Sequence, residues 1–147
     1  MIRPARTEDA DWAHALVRRA YALYVPRMGK EPAPMLADYA ALIAAGEVHV
    51  LEDGGKPAAL IVLRPDEGAL FIENIAVDPV IQGKGHGRAL LAFAETEARR
   101  LGLGFLRLYT NAAMTENLAY YPRLGFRETD RREEDGYSRV FFEKRVD

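Results

Sequence analysis

The sequence predicts a mixed α/β layer fold, with a mostly antiparallel sheet of about seven strands flanked by about four helices. Three observations predict it. Apolar residues keep helical spacing over about 7–24 and 35–46 and then change to strand-like runs over 47–77. A helical pattern over 86–101 separates two strand-like segments, 69–77 and 105–110, and such a crossover makes the two strands parallel. Turn signals at 54–55 ("GG"), 65–68 ("PDEG") and 135–136 (Asp-Gly) mark hairpins, whose strands run antiparallel.

Taken in order, "IRPA" (2–5) reads as a short first strand. Thr7 is placed to cap a helix whose first turn carries Glu8 and Asp9, where acids favour the helix dipole. That helix is expected to run to about Tyr24. "VPRMGKEPAP" (25–34) is the most loop-like stretch, and "MLADYAALIAAG" (35–46) reads as a second helix ending at Gly46. "EVHVLED", "KPAALIVLR" and "ALFIENIAV" follow as three strands. After the crossover helix come the strand "GFLRLYT", the short helix "TENLAYYPRLG" and a closing hairpin within "FRETDRREEDGYSRVFFEK". No repeat, low-complexity tract or linker interrupts the 147 residues, so a single domain over 1–147 is expected.

Composition narrows the function classes. Hydrophobic residues make up 49% and charged residues 29%, the balance of a soluble globular chain. A net charge of -2 lacks the basic footprint of a general nucleic-acid binder. With no cysteine there is no disulfide, no cysteine nucleophile and no thiolate ligand. The three histidines, at 14, 49 and 86, do not share a metal-ligand spacing, so no metal is expected. His14 and His49 read as a helix-face and a strand residue, and Trp12 as core. No stretch reaches about 18 consecutive apolar residues, and the first 17 lack the pattern of a secretory signal; the expected location is the cytoplasm.

The segment "VDPVIQGKGHGRALL" (77–91) carries the sharpest chemical signal. Gly83, Gly85 and Gly87 alternate where a strand hands over to a helix, although glycine weakens a helix by about 1 kcal/mol relative to alanine. Such a turn aims several backbone N–H groups and the positive helix end at one spot, which suits a phosphate or pyrophosphate. Two common glycine motifs do not fit. A Walker loop needs Ser or Thr after its lysine, and Lys84 is followed by Gly85. The dinucleotide fingerprint needs Gly where Arg88 stands.

Gln82-Gly83-Lys84-Gly85-His86-Gly87 matches the [RQ]-x-x-G-x-[GA] signature of the GNAT superfamily of acyl-CoA-dependent N-acetyltransferases, and it follows a "NIAVDP" strand end as in that family. Asn117, Ala119, Tyr121, Leu124, Gly125 and Phe126 resemble a second signature, N-x-A-x-x-[FY]-x-x-x-G-F, about 30 residues further on. The element order agrees throughout. The resemblance implies acetyl-CoA as acyl donor, with its pyrophosphate on the N–H groups of Gln82, Gly83, Lys84, Gly85, His86, Gly87 and Arg88. It also implies a bulged strand at Ile75, Ala76 and Val77 that splays from its parallel neighbour, so that the pantetheine arm wedges between them. Asn117 is implied to hydrogen-bond pantetheine or the neighbouring strand. Lys84 and Arg88 add charge near the phosphates, and His86 reads as exposed.

Amide formation from a thioester needs a neutral amine, a stabilised oxyanion and a proton for the departing thiolate. An alkylamine with a pKa near ~10.4 needs a base at neutral pH. Glu73 is the candidate: it interrupts an apolar strand, where burial favours a useful pKa, and matches the position of a general base in some GNAT members. Asn74 is expected to face the other way. Tyr121 is the candidate acid at the family's tyrosine position, and Asn117 lies four residues before it, on the same helix face. Pro122 threatens that geometry by disfavouring helix at Tyr121, which would make Tyr120 the understudy. A backbone N–H near Val77 is expected to meet the oxyanion.

Without cysteine, direct attack in a ternary complex is the simplest mechanism. The acceptor, a small-molecule or peptide amine, would meet residues of the helix connection and the far strand end: Tyr21, Tyr24, Arg27, Met28, Thr110, Asn111 and Glu116. Arg27 suits a substrate carboxylate and Glu116 a cation. A free amine metabolite is favoured over a protein N-terminus or lysine. The competing class is a non-catalytic acyl-CoA sensor or regulatory module. The apolar "RVFFEK" (139–144) could pair across a homodimer interface or be covered within one subunit.

Overall fold

The computed structural model describes residues 1–146. Its frame is a seven-stranded sheet formed by β1 (Ile2–Pro4), β2 (Val48–Asp53), β3 (Lys56–Asp66), β4 (Ala69–Val77), β5 (Phe105–Asn111), β6 (Arg127–Glu134) and β7 (Tyr137–Arg145). The spatial order is β1-β2-β3-β4-β5-β7-β6. Only β4 and β5 are parallel, joined through α4 (His86–Arg100); every other neighbour pair is antiparallel. The hairpin turns adopt positive φ at Gly54, Gly55, Glu67, Gly68, Asp135 and Gly136, the geometry two-residue hairpin loops require.

Each face of the sheet has its own apolar cluster. α4 contributes Leu90, Leu91, Ala94 and Ala98 to one, together with Ile61, Leu63, Leu70, Ile72 and Leu106 from the strands. α5 (Thr115–Arg123) packs on the same face through Leu118, Tyr120 and Tyr121. The opposite face is covered by α1 (Ala10–Tyr21), α2 (Tyr24–Met28) and α3 (Tyr39–Ala44), with Ala13, Leu16, Val17, Tyr39 and Ile43 packed on Leu60, Val62 and Ala76. Among the described residues, no helix is long and apolar enough to cross a membrane.

The N-terminal half corrects several expectations. Thr7 does not cap the first helix; it lies inside a single 3-10 turn, Thr7–Asp9. Asp9, the last residue of that turn, accepts the Arg6 N–H at 2.7 Å and is held by Arg3 at 2.8 Å; as N-cap of α1 it makes no side-chain capping bond. α1 stops at Tyr21 rather than Tyr24, and the segment expected to be loop contains α2 and a 3-10 turn, Ala33–Leu36. Among the described residues there are five α-helices, α2 being the short one added to the about four expected. Pro26 is tolerated in α2 because it falls in the first turn, where its missing N–H would have no helical partner. α3 is shorter than the 35–46 pattern; Asp38 caps it by accepting from Ala41 N–H at 3.1 Å.

The C-terminal strand takes the second of the two alternatives left open for it. "RVFFEK" lies in β7, hydrogen-bonded on both sides between β5 and β6, so it offers no edge to a second copy. The edge is β6, "RETDRREE", whose run of charges protects an open strand from pairing.

Candidate active site

β4 is the strand on which the site is built. Its first half, Ala69 to Ile72, is paired with β5 at Phe105 to Leu108, and there the parallel pairing stops. On the β3 side, Val62 lies opposite Asn74 and Leu63 opposite Ile72, which leaves Glu73 as the extra residue of a bulge. The extra residue swaps faces: Leu70 and Ile72 belong to the α4 cluster, whereas Ala76 belongs to the α1–α3 cluster. Glu73 and Asn74 are consequently not on opposite faces, as simple alternation predicts. Both line one cavity on the α1–α3 side, of about 50 Å³.

Beyond the bulge β4 has only one partner. Asp78 N–H donates to Ala58 O at 3.1 Å, so alternation turns the Ala76 peptide groups to β3 and those of Ile75 and Val77 into the gap beside β5. That is the strand edge expected to meet an extended ligand. It also aims the Val77 N–H into the cleft.

At the end of β4 the chain makes a short 3-10 turn, Pro79–Ile81, and enters the glycine segment. Gly83 and Gly85 have φ of 90° and 81°, which other residues rarely adopt. Gly85 is the N-cap of α4, with no side-chain capping bond and no acid in the first turn. The first helical hydrogen bond, Ala89 N–H to Gly85 O at 3.0 Å, leaves the N–H groups before it without helical partners. A Cβ built at Gly83 or Gly85 would meet nothing within 4 Å, and at Gly87 only Tyr120 Oη at 3.9 Å. The cradle is open and electropositive. It fits a pyrophosphate.

This cradle forms one end of a cleft of about 590 Å³, lined by Gln82, Gly83, Gly85, His86, Gly87 and Arg88 and continuing along Ile75, Ala76 and Val77. The cleft meets the small cavity at four shared residues, Tyr21, Ile75, Asn117 and Tyr121. Two sites thus converge on the gap between β4 and β5, where a thioester and an amine could be brought together.

The GNAT acetyltransferase family model matches residues 12–126, which includes the bulged strand, the glycine cradle and α5. The chain belongs to the GNAT family. Among its relatives is the [ribosomal protein bS18]-alanine N-acetyltransferase of Escherichia coli K12, 41% identical over 80 residues, which are 53% of each chain. The chain thus spans about half the length of that relative. A mycothiol acetyltransferase of Nocardia farcinica is 36% identical over 63 residues, 43% of this chain and 20% of its own. The ribosomal-protein-S18-alanine N-acetyltransferase structure from E. coli superposes with a TM-score of 0.76 at 27% identity, covering 99% of this chain and 93% of that one. PaiA N-acetyltransferase from Thermoplasma acidophilum, solved in complex with coenzyme A, has a TM-score of 0.80 at 17% identity, covering 99% and 98%, and shares the fold.

The GNAT motif residues fall into two groups. Asn117 donates to Thr110 Oγ1 on β5 at 3.1 Å, the neighbouring-strand contact that the resemblance implies. Pro122 does not divert Tyr121, because α5 runs on to Arg123. Tyr121 reaches the junction, its ring packed edge-on against Phe126 and tilted against Phe142. Burial pushes its phenol well above the ordinary value of 10.0, so it carries its proton at working pH. Tyr120 lines the cleft nearer the cradle, beside Gly87.

Other assignments change. Glu73 is not a desolvated carboxyl: Arg64 Nη1 donates to its Oε1 at 2.6 Å, and about 25% of the side chain stays exposed. His86 is not exposed; its Nε2 lies 3.2 Å from Asp53 Oδ2, pinning the cradle to the end of β2. Lys84 points the same way, 4.0 Å from that carboxylate, and does not line the cleft. Arg27 and Glu116 find each other instead of a substrate, in a bidentate pair at 2.6 and 2.9 Å that links α2 to α5. Tyr24 lines the cofactor-side cleft, and Asn111 lines the small cavity.

Sequence reasoning weighed Asn74 only as a weaker candidate beside Glu73, and missed Tyr39 and Arg64 as site components. A charge at the end of the apolar run 56–64 and an amide within the run 69–77 were the signals for Arg64 and Asn74; Tyr39, in the helical pattern 35–46, carried none. Tyr137 and Arg139 also line the cavity, carried there by the β6–β7 hairpin. Arg139 stacks 4.3 Å from the Tyr109 ring centroid. Among the described residues, no cluster of His, Asp and Glu side chains could hold a metal ion.

Proposed function

We propose that this protein is an N-acetyltransferase that transfers an acetyl group from acetyl-CoA to a primary amine, by direct attack in a ternary complex. The observation that carries this reading is the meeting of the cradle cleft and the small cavity at Tyr21, Ile75, Asn117 and Tyr121. When bound, acetyl-CoA supplies the thioester carbonyl. The N–H groups of residues 83–88 hold its pyrophosphate, and the Ile75 N–H and the Val77 carbonyl pair with the pantetheine arm along the open edge.

In this reading Val77 N–H stabilises negative charge on the carbonyl oxygen. Glu73, in the small cavity, takes the proton of the incoming amine through the solvent that reaches its exposed side. Tyr121, still protonated because of its burial, gives its proton to the departing thiolate. Asn117 ties α5 to β5 and keeps Tyr121 aimed at the junction.

The acceptor is a primary amine at the end of a slender small molecule or peptide. The inner cavity of about 50 Å³ leads through Met28, Asn111 and Tyr137 to an outer groove of about 360 Å³ between α2 and the β6–β7 turn. By their names, the relatives above are an alanine N-acetyltransferase of ribosomal protein bS18 and a mycothiol acetyltransferase, so a peptide and a small-molecule amine both belong in the test. CoA thiol release from acetyl-CoA, measured across polyamines, amino acids, aminoglycosides and short peptides with free N-termini or lysines, decides it. Release above a no-amine blank is expected with one class. Tight cofactor binding with no amine-dependent release would instead favour an acyl-CoA sensor.

A further inference from the structure

Two phenols flank the junction, and their hydrogen-bond polarity is opposite. Tyr39 fixes the direction of the chain behind one of them. Its hydroxyl lies 2.6 Å from Pro34 O, a carbonyl that can only accept, so the Tyr39 proton is committed there. Asn74 sits 3.0 Å from the Tyr39 oxygen and must therefore present its Nδ2 as donor. That turns Asn74 Oδ1 to Tyr21 Oη, at 2.6 Å, and this oxygen can only accept. The Tyr21 proton is thus committed to Asn74, with Ile75 O, the next acceptor on its approach, at 3.1 Å. Asn74 is 4% exposed, so water does not compete for this amide.

Tyr21 Oη keeps lone pairs and has no proton left to offer. The geometry points to Tyr21 as the residue that orients the acceptor amine, accepting an N–H hydrogen bond from it at the junction, with Asn74 as the positioning residue that fixes this polarity. Tyr121, on the opposite wall, makes no hydrogen bond through its hydroxyl among the described residues, and its proton is free for the thiolate. One tyrosine recognises the nucleophile; the other serves the leaving group. Tyr21 exchanges no proton in the reaction. Its own ionisation is pushed up, above all by burial, which keeps that division intact.

This inference rests on the acetyltransferase reading, and the experiment separates the two. Tyr21→Phe and Asn74→Leu are compared with the wild type for CoA affinity by calorimetry and for kcat/KM with the best amine of the panel. A hydrogen bond to a charged or developing charged group corresponds to about 10- to 100-fold in kcat/KM. Each variant is expected to lose that much while CoA affinity stays within about twofold. The double variant should lose no more than the worse single, because both changes remove the same interaction. The Tyr21 hydroxyl proton should also appear as a slowly exchanging downfield resonance that Asn74→Leu abolishes. Wild-type kcat/KM in Tyr21→Phe overturns the inference alone, as does a loss of CoA affinity in proportion. A wild type that binds acetyl-CoA and acetylates no amine overturns the functional reading, and the amine role with it.

Discussion

The two halves of β4 share a strand and a neighbour, yet they do opposite work. From Ala69 to Ile72 the strand is bonded on both sides, and Ala69, Leu70 and Ile72 are buried. From Glu73 to Val77 it is bonded to β3 alone, and its other edge faces the cleft. One extra residue, Glu73, marks the change. The difference teaches where a site can be built on a sheet: where pairing is withheld, free peptide groups become ligand groups.

The largest expected effect falls at the far end of the open half. Gly85→Val places a β-branched residue at a φ of 81° and turns the cradle N–H groups away. Losing two or three charge-assisted hydrogen bonds corresponds to about 4 kcal/mol, or about 1,000-fold in CoA affinity, with the far-ultraviolet dichroism of a folded protein retained. Unchanged affinity by calorimetry would remove the pyrophosphate from this turn.

The paired half should respond in stability instead. Leu70→Ala removes a side chain that is 2% exposed and is expected to cost about 3 kcal/mol in urea denaturation. CoA affinity of the folded fraction should stay near wild type. If both quantities fell together, the two halves would not be separable and the comparison would break.

Glu73→Gln tests the bulge residue itself. Turnover at neutral pH should drop about 100-fold, and the deficit should narrow as pH approaches the pKa of the free amine. Wild-type rates at neutral pH would leave the bulge without a proton to move. Tyr121→Phe should act more weakly, slowing turnover about 10-fold by delaying thiolate protonation, with CoA affinity retained. A large affinity loss with intact turnover would contradict that role.

The smallest effect concerns pH. Burial raises the phenol ionisation of both Tyr21 and Tyr121 above the ordinary value of 10.0. Above that pH the folded protein keeps protons that the unfolded chain has released. Stability from these groups is therefore complete below pH 10 and declines as pH rises through the folded values. Urea midpoints between pH 9 and 11 should fall in the wild type and fall less steeply in Tyr21→Phe. An equal slope in both would place the alkaline sensitivity elsewhere.

The strand order along the chain, the parallel β4–β5 pair, the hairpins and the glycine turn at the start of α4 were legible in the sequence, because each rests on local chemistry. Period-2 and helical spacing, Gly-Gly and Asp-Gly turns, and glycines at a strand-to-helix junction act within a few residues of themselves. Tertiary structure decided the rest. The bulge at Glu73 exists only against the register of β3, so its reversal of Asn74 could not be read from alternation along one strand. Arg27 and Glu116 are 89 positions apart, and each looks free for a substrate until the fold sets one against the other. The same holds for Arg64 beside Glu73, and for Asp53 beneath His86. Composition and spacing determined that this chain builds a cradle beside a helix end. Only the packing of α1 and α3 on the open strand decided which hydroxyl faces the junction as an acceptor, because hydrogen-bond direction passes from Pro34 through Tyr39 and Asn74 to Tyr21 across residues distant in sequence.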